Sequence, residues 1–157
     1  MDNIKTSDVL LFRIKNNTPS VLLTTRLNSK NDNAGGKLCI PGGHIEFNET
    51  PLEGGIRELK EETGIDVNSI SHILKPVIYN VPNQSKYRKY NGVTYSGLLP
   101  ISYQYELTPQ INEVADVRWY TFDQIPYENM AFDHDEVLKY IIDRIYQYIK
   151  PQCLMSR

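Results

Sequence analysis

The stretch from Gly43 to Ile65, GHIEFNETPLEGGIRELKEETGI, constrains this chain more than any other: it specifies a short helix marked at both ends and crowded with acids on one face. Thr50 reads as the N-cap, Pro51 suits the first helical position, and Glu53, three residues after the cap, closes a capping box. Gly64 supplies the stop. Leu52, Ile56 and Leu59 fall at spacings of four and three and build an apolar stripe, while Glu58, Glu61 and Glu62, at i, i+3 and i+4, share a different face. The segment satisfies the pattern G-x5-E-x7-R-E-apolar-x-E-E-x-G-apolar at every specified position. Average residue usage would supply that at one start with a probability on the order of 10⁻⁹ to 10⁻¹⁰, so coincidence is set aside.

Three acids on one helical face repel one another by about 0.2–0.5 kcal/mol per pair, so a positive group is expected among them. Hard oxygen donors without thiolate favour Mg²⁺ or Mn²⁺ over zinc or copper, and Mg²⁺ characteristically shares a few carboxylates with substrate phosphates. Arg57, beside this face, can hold Glu49 or Glu58 in a bidentate fork and so set the rotamers of the metal-binding acids. RELKEE alone would describe an ordinary solvated amphipathic helix. Gly54 and Gly55 argue otherwise, since each costs about 1 kcal/mol relative to alanine inside a helix. Either another backbone or a phosphate comes close to them, or they pack tightly on a sheet.

The chain of 157 residues is long enough for one domain with a real core, so residues 1–157 are read as a single unit. A formal net charge of -2 disfavours binding to a nucleic-acid polymer or an anionic membrane. Cys39 and Cys153 have no paired spacing for a disulfide framework or a zinc site. The N-terminus lacks a leader pattern, and no segment approaches the roughly 18 apolar residues of a membrane span, so a cytoplasmic setting is expected.

Val9 to Ile14 and Val21 to Thr25 read as a β-hairpin across Lys15 to Ser20, followed by a polar stretch from Asn28 to Lys37 and a short strand, Leu38 to Ile40, that enters the turn Pro41-Gly42-Gly43. After the acidic helix, Val67 to Val81 and Tyr90 to Ile101 read as two longer strands, Val114 to Phe122 as another, and Gln124-Ile125-Pro126 as a turn. Asp133, with Glu136 three residues on, starts a last helix whose apolar face is Val137, Ile141, Ile145, Tyr148 and Ile149 and which Pro151 ends. The order β-β-α-β-β-β-α gives a mixed α+β domain.

The segment from Gly43 to Ile65 resembles the Nudix box, the signature of Mg²⁺-dependent hydrolases that cleave a nucleoside diphosphate linked to another group. The hairpin, later strands and last helix also resemble that family's α/β/α sandwich, with its mixed β-sheet and loop-helix-loop catalytic motif. By position, Glu58, Glu61 and Glu62 resemble the metal ligands, the Gly42 carbonyl a backbone ligand, and Glu49 with Arg57 the supporting pair. The resemblance implies attack of a metal-activated water on phosphorus, with the metal also neutralising the leaving phosphate. Glu61 or Glu62 is then a candidate base. Some members take the base, or a further metal ligand, from an acid before a late strand; here Glu113 and Asp116 qualify, and Glu113 is favoured because it directly precedes Val114.

Substrate choice lies outside the box. The run Lys86-Tyr87-Arg88-Lys89-Tyr90 sets cations beside aromatics, which makes Tyr87, Arg88 and Tyr90 candidates to stack a base and steer phosphates. Tyr103 and Tyr105 are similar candidates. Ala131 to Glu136 resembles the start of the final helix in small members acting on ADP-ribose; since Asp133 and Glu136 serve the cap, Phe132 and His134 remain for substrate. Pro82 lies near a proline that some ADP-ribose hydrolases carry past the box. His44 can approach a phosphate, but GGHIEF also occurs in relatives that sanitise nucleoside triphosphates. The preferred expectation is a pyrophosphohydrolase of ADP-ribose or a similar nucleotide sugar. The alternatives are a house-cleaning (d)NTP or oxidised (d)NTP pyrophosphatase and a non-catalytic nucleotide-binding regulatory module. The implied cofactor is Mg²⁺, with Mn²⁺ able to substitute, the partner is a small nucleotide, and the family's habit implies a homodimer.

Overall fold

The computed structural model describes residues 4–28, 34–77 and 92–155, with side chains as far as residue 148. The hairpin forms from β1 (Thr6–Lys15) and β2 (Thr18–Arg26). Its connection is tighter than Lys15 to Ser20: Asn16 and Asn17 take left-handed conformations, φ 53° and 61°, in a two-residue turn whose twist matches that of the strands. Pro19 therefore lies inside β2, opposite Ile14.

Ladder pairing of β1 with β2 runs from the turn to Phe12 and Val21, and beyond that point the strands part. The fork is filled by the next segment of chain: β3 (Leu38–Cys39) pairs with Thr24 and Thr25 of β2, and β4 (Gly42–His44) pairs with Thr6 to Asp8 of β1. The Val9 N–H donates to the Pro41 carbonyl at 2.8 Å, so the kink between β3 and β4 also closes on β1. On the outer edges, β6 (Gly92–Leu98) runs parallel to β1, β5 (Lys75–Val77) lies antiparallel beyond β6, and β7 (Val114–Thr121) lies antiparallel to β2. One parallel pair among antiparallel ones makes the sheet mixed, as expected.

Alternation along β1 serves two layers. Leu10, Phe12 and Ile14 face the core beneath α2 (His134–Met155), with Val137, Leu138 and Ile141. Val9 and Leu11 face the core beneath α1 (Pro51–Thr63), with Ile56 and Leu59. The result is the α/β/α sandwich. Each fully buried leucine of this kind contributes about 2 kcal/mol of hydrophobic stabilisation.

Both ends of α1 form as expected. The Thr50 hydroxyl accepts from the Glu53 N–H at 3.2 Å, the Glu53 carboxylate accepts from the Thr50 N–H at 3.3 Å, and Gly64 ends the helix at φ 85°. Gly55 packs on β1: a Cβ there would lie 2.8 Å from Ser7 Oγ and 3.0 Å from Val9 Cγ2. Of the two readings of the glycine pair, packing on the sheet holds for Gly55. A Cβ on Gly54 would lie 2.8 Å from a Glu49 carboxylate oxygen, so that glycine makes room for the loop before the helix.

Four further expectations need correction. The strand expected over Val67 to Val81 starts only at Lys75, because Asn68–Ile73 turns in a 3-10 arrangement. The Asp66 carboxylate accepts both the backbone and side-chain N–H of Asn68 at 2.9 Å, and this local pairing outcompetes extension. Residues 78–81 lie outside the described residues. The strand expected to reach Ile101 stops at Leu98; Pro100 opens a turn, the Tyr103 N–H bonding back to its carbonyl at 3.0 Å, and Ile101 is left 74 % exposed. Helix α2 continues past Pro151 to Met155, since a proline removes one backbone donor and need not end a helix. Tyr148, expected on its apolar face, is 75 % exposed.

Replacing Gly55 by valine wedges a branched side chain between α1 and β1 and is expected to lower stability by about 2 kcal/mol in chemical denaturation.

Candidate active site

The acidic face of α1 meets the mouth of the fork. The Gly42 N–H donates to a Glu62 carboxylate oxygen at 2.7 Å, joining the helix to the start of β4. At Gly43 a Cβ would lie 2.6 Å from the carboxylate carbon of Glu58, so only glycine lets that acid reach the strand.

Arg57 organises the remaining acids. Its Nε and Nη2 grip both oxygens of Glu49, at 2.8 and 3.0 Å, in the bidentate fork read from the sequence. Its Nη1 donates to Glu58 at 2.9 Å and to Glu61 at 3.3 Å, and Nη2 also reaches the His44 carbonyl at 2.9 Å. Of the two partners proposed for this arginine, Glu49 and Glu58, both are engaged. His44 itself is exposed at the end of β4.

The electrostatics divide these carboxylates. The hydrogen bonds from Arg57 hold the Glu49 carboxyl below the usual range, and the same bonds raise the Arg57 guanidinium. Burial pushes Glu58 up, with Arg57 opposing and the charges of Glu61 and Glu113 adding to the rise. Glu62 is pushed up to about 8, chiefly by burial, against the Gly42 N–H and with Glu58, Asp8 and Glu113 all raising it. Glu113, exposed just before β7, is thus close enough to act on both acids. Asp116 is turned away: it pairs with Arg118 at 2.6 Å on an exposed surface.

Among the described residues, no three His, Cys, Asp or Glu side chains are placed to hold a metal ion. Glu58 and Glu61 lean on Arg57, and Glu62 leans on Gly42. The donor set nonetheless fits a hard divalent cation: carboxylate oxygens within one turn of helix, a backbone loop beside them, and like charges that raise Glu62. A cation among them would reverse that rise, since a nearby opposite charge favours the ionised form.

Beside this cluster lies a feature that the sequence reading missed. The Asp8 carboxylate packs against Gly42 and lies 3.7 Å from His134 Nε2, while His134 Nδ1 accepts the Ile40 N–H at 3.0 Å. An acid inside an otherwise apolar strand, TSDVLLF, was the available signal. His134, a candidate for substrate contact from the sequence, is buried and supports the β3–β4 loop from beneath. Phe132 is half exposed, adopts a left-handed φ of 54°, and carries the Arg26 guanidinium 5.2 Å from its ring centroid. Arg26 was also missed. Tyr87, Arg88, Tyr90 and Pro82 lie outside the described residues. Tyr103 bonds to the Asp66 carbonyl and Tyr105 to Arg13, both packed under the α1 layer.

Residues 5–141 match the NUDIX domain. The chain belongs to the Nudix family. The Nudix domain of Shewanella oneidensis NrtR, solved in complex with ADP ribose, superposes with a TM-score of 0.67 at 27% identity, over 89% of this chain and 86% of that one. Among curated relatives, an 8-oxo-dGTP diphosphatase of Proteus vulgaris is 38% identical over 47% of this chain and 59% of its own length. An ADP-ribose pyrophosphatase of Methanocaldococcus jannaschii is 26% identical over 70% of this chain and 60% of its own. The match thus spans only part of each curated relative. No helix among the described residues is long and apolar enough to cross a membrane.

Lysine at Arg57 keeps the charge but loses the two-pronged grip on Glu49, so Arg57→Lys is expected to lower metal-dependent turnover at least tenfold with an unchanged circular dichroism spectrum.

Proposed function

We propose that this Nudix chain is a divalent-metal-dependent pyrophosphohydrolase that cleaves a nucleoside diphosphate joined to another group, with ADP-ribose or a related nucleotide sugar as its preferred substrate. The observation that carries this reading is the carboxylate cluster held between Arg57 and Gly42 at the mouth of the fork. Glu58, Glu61, Glu62 and the Gly42 carbonyl would hold the ion, Mg²⁺ or in its place Mn²⁺. When bound, the ion neutralises diphosphate charge and makes a water more acidic.

The chain's own residues supply the rest. Arg57 and Glu49 fix the Glu58 carboxylate through a rigid fork, which limits the rotamers lost on binding. Glu113 is the acid best suited to take the proton of the attacking water: it is exposed, free of the Arg57 grip, and electrostatically coupled to Glu58 and Glu62. Glu62, buried and bonded to Gly42, is better suited to holding the ion than to proton transfer. Arg26 and the Phe132 ring give the substrate a cation and an aromatic face beside the fork. The strained φ of Phe132 is of the kind retained at functional positions.

The likeness to an 8-oxo-dGTP diphosphatase supports a second reading, an (oxidised) nucleoside triphosphate diphosphatase. A panel with Mg²⁺ containing ADP-ribose, other nucleotide sugars, dinucleoside polyphosphates, NADH and (d)NTPs separates the two. Release of AMP from ADP-ribose is expected. Faster release of diphosphate from dGTP or its oxidised form would favour the second reading, and inertness toward every compound would indicate a binding module.

In the same assay Glu62→Gln is expected to abolish turnover while the fold survives. Glu113→Gln is expected to lower kcat at least tenfold with little change in KM; an unchanged rate would remove Glu113 from the mechanism.

A further inference from the structure

A cavity of about 560 Å³ lies at the end of β1 far from the fork, lined by Arg13, Lys15, Asn16, Asn17, Tyr103 and Tyr105 with the apolar edge of the Leu99–Ile101 turn. Arg13 and Asp8 are five positions apart on an extended strand, which separates them by roughly 16 Å. They also point to opposite faces: Asp8 reaches His134 at the start of α2, while Arg13 packs on Trp119 in the α1 layer. The fork and the cavity thus lie toward opposite ends of β1.

The cavity is rich in donors and cations. Among the described residues no carboxylate lines it, whereas a guanidinium and an ammonium do. Among the described residues Arg13 has no acidic partner; its guanidinium carbon sits 4.4 Å from the Trp119 ring centroid and Nη1 donates to the Tyr105 hydroxyl at 2.7 Å. That leaves the Tyr105 proton free to be donated onward. Arg13 Nε and Trp119 Nε1, both buried, have no hydrogen-bond partner. A half-buried cation among unpaired donors is costly to maintain, and an anion offsets the cost. The volume is in the range of small-molecule sites and exceeds what inorganic phosphate alone would fill.

We propose that this cavity is a second binding site, for a small phosphomonoester of nucleoside-monophosphate size, its phosphate on Arg13 and Lys15 and its body against Tyr103 and Tyr105. Arg13 thereby gains an anionic partner, which the described residues do not supply. The packing of Arg13 on Trp119 makes the chain's single tryptophan a reporter of occupancy.

The test is titration of the full chain, with a chelator to keep divalent metal from the fork, using AMP, inorganic phosphate and adenosine. Trp119 fluorescence and equilibrium dialysis are read together. Saturable binding of AMP, weaker binding of phosphate and none of adenosine are expected. Arg13→Gln should weaken AMP at least tenfold, and Lys15→Gln, a substitution at an exposed side chain, at least threefold. Arg26→Gln, at the fork, should leave the Trp119 response unchanged. The proposal is overturned by no response to AMP up to about 10 mM, by equal binding of adenosine, by undiminished affinity in both Arg13→Gln and Lys15→Gln, or by loss of the response in Arg26→Gln.

Discussion

Where β1 and β2 part beyond Phe12 and Val21, each is left with backbone donors and acceptors that must be paired, because unpaired peptide groups in a buried sheet are too costly to leave. The segment Leu38 to His44 meets that demand on both sides at once, through β3 on β2 and β4 on β1. Everything at the site hangs from this insertion. It carries Gly42 and Gly43 to the acidic face of α1, and it brings Ile40 over His134, so that the start of α2 braces the same loop.

The acids at the mouth of the fork show which of two opposing effects wins at each position. At Glu49, two hydrogen bonds from one guanidinium outweigh burial, and the carboxyl is held ionised. At Glu62, a single backbone N–H does not outweigh burial and three neighbouring acids, so its pKa climbs to about 8. Arg57 is already shared among Glu49, Glu58 and Glu61. The surplus of negative charge on the Glu62 side is therefore what a bound cation would relieve. The cluster thus has a side neutralised by Arg57, at Glu49, and an uncompensated side, at Glu62.

The surroundings of Phe132, where substrate is proposed to bind, are built differently. Phe132 is held at a left-handed φ just before α2, with Arg26 over its ring and the His134 ring edge-on, its centroid 5.4 Å away. A side chain that bulky is not kept in such a conformation by local preference; the surrounding packing imposes it. Its neighbours come from β2 and α2, elements far apart in sequence, so no local spacing marks Arg26. The same holds for Asp8, whose meaning rests on β4 lying beside it.

Local spacing was enough to read the helix, its capping box, its glycine stop and the Arg57–Glu49 pair, because each of these involves residues within about two turns of one another or a motif whose chemistry is written in the spacing. It was not enough for the 3-10 turn at Asn68–Ile73, where a side chain diverted the backbone from the strand that its apolar residues suggested. Nor did it reveal Asp8, Arg26 and the buried placement of His134, or the Arg13 guanidinium held by a tyrosine and a tryptophan at the far end of β1. The sequence by itself determined which chemistry the chain can perform, since that resides in residue types at short separations. Tertiary structure alone decided which acid is buried, which is exposed and which cation is set against aromatic rings, because desolvation and Coulomb energy depend on distances that only the fold creates.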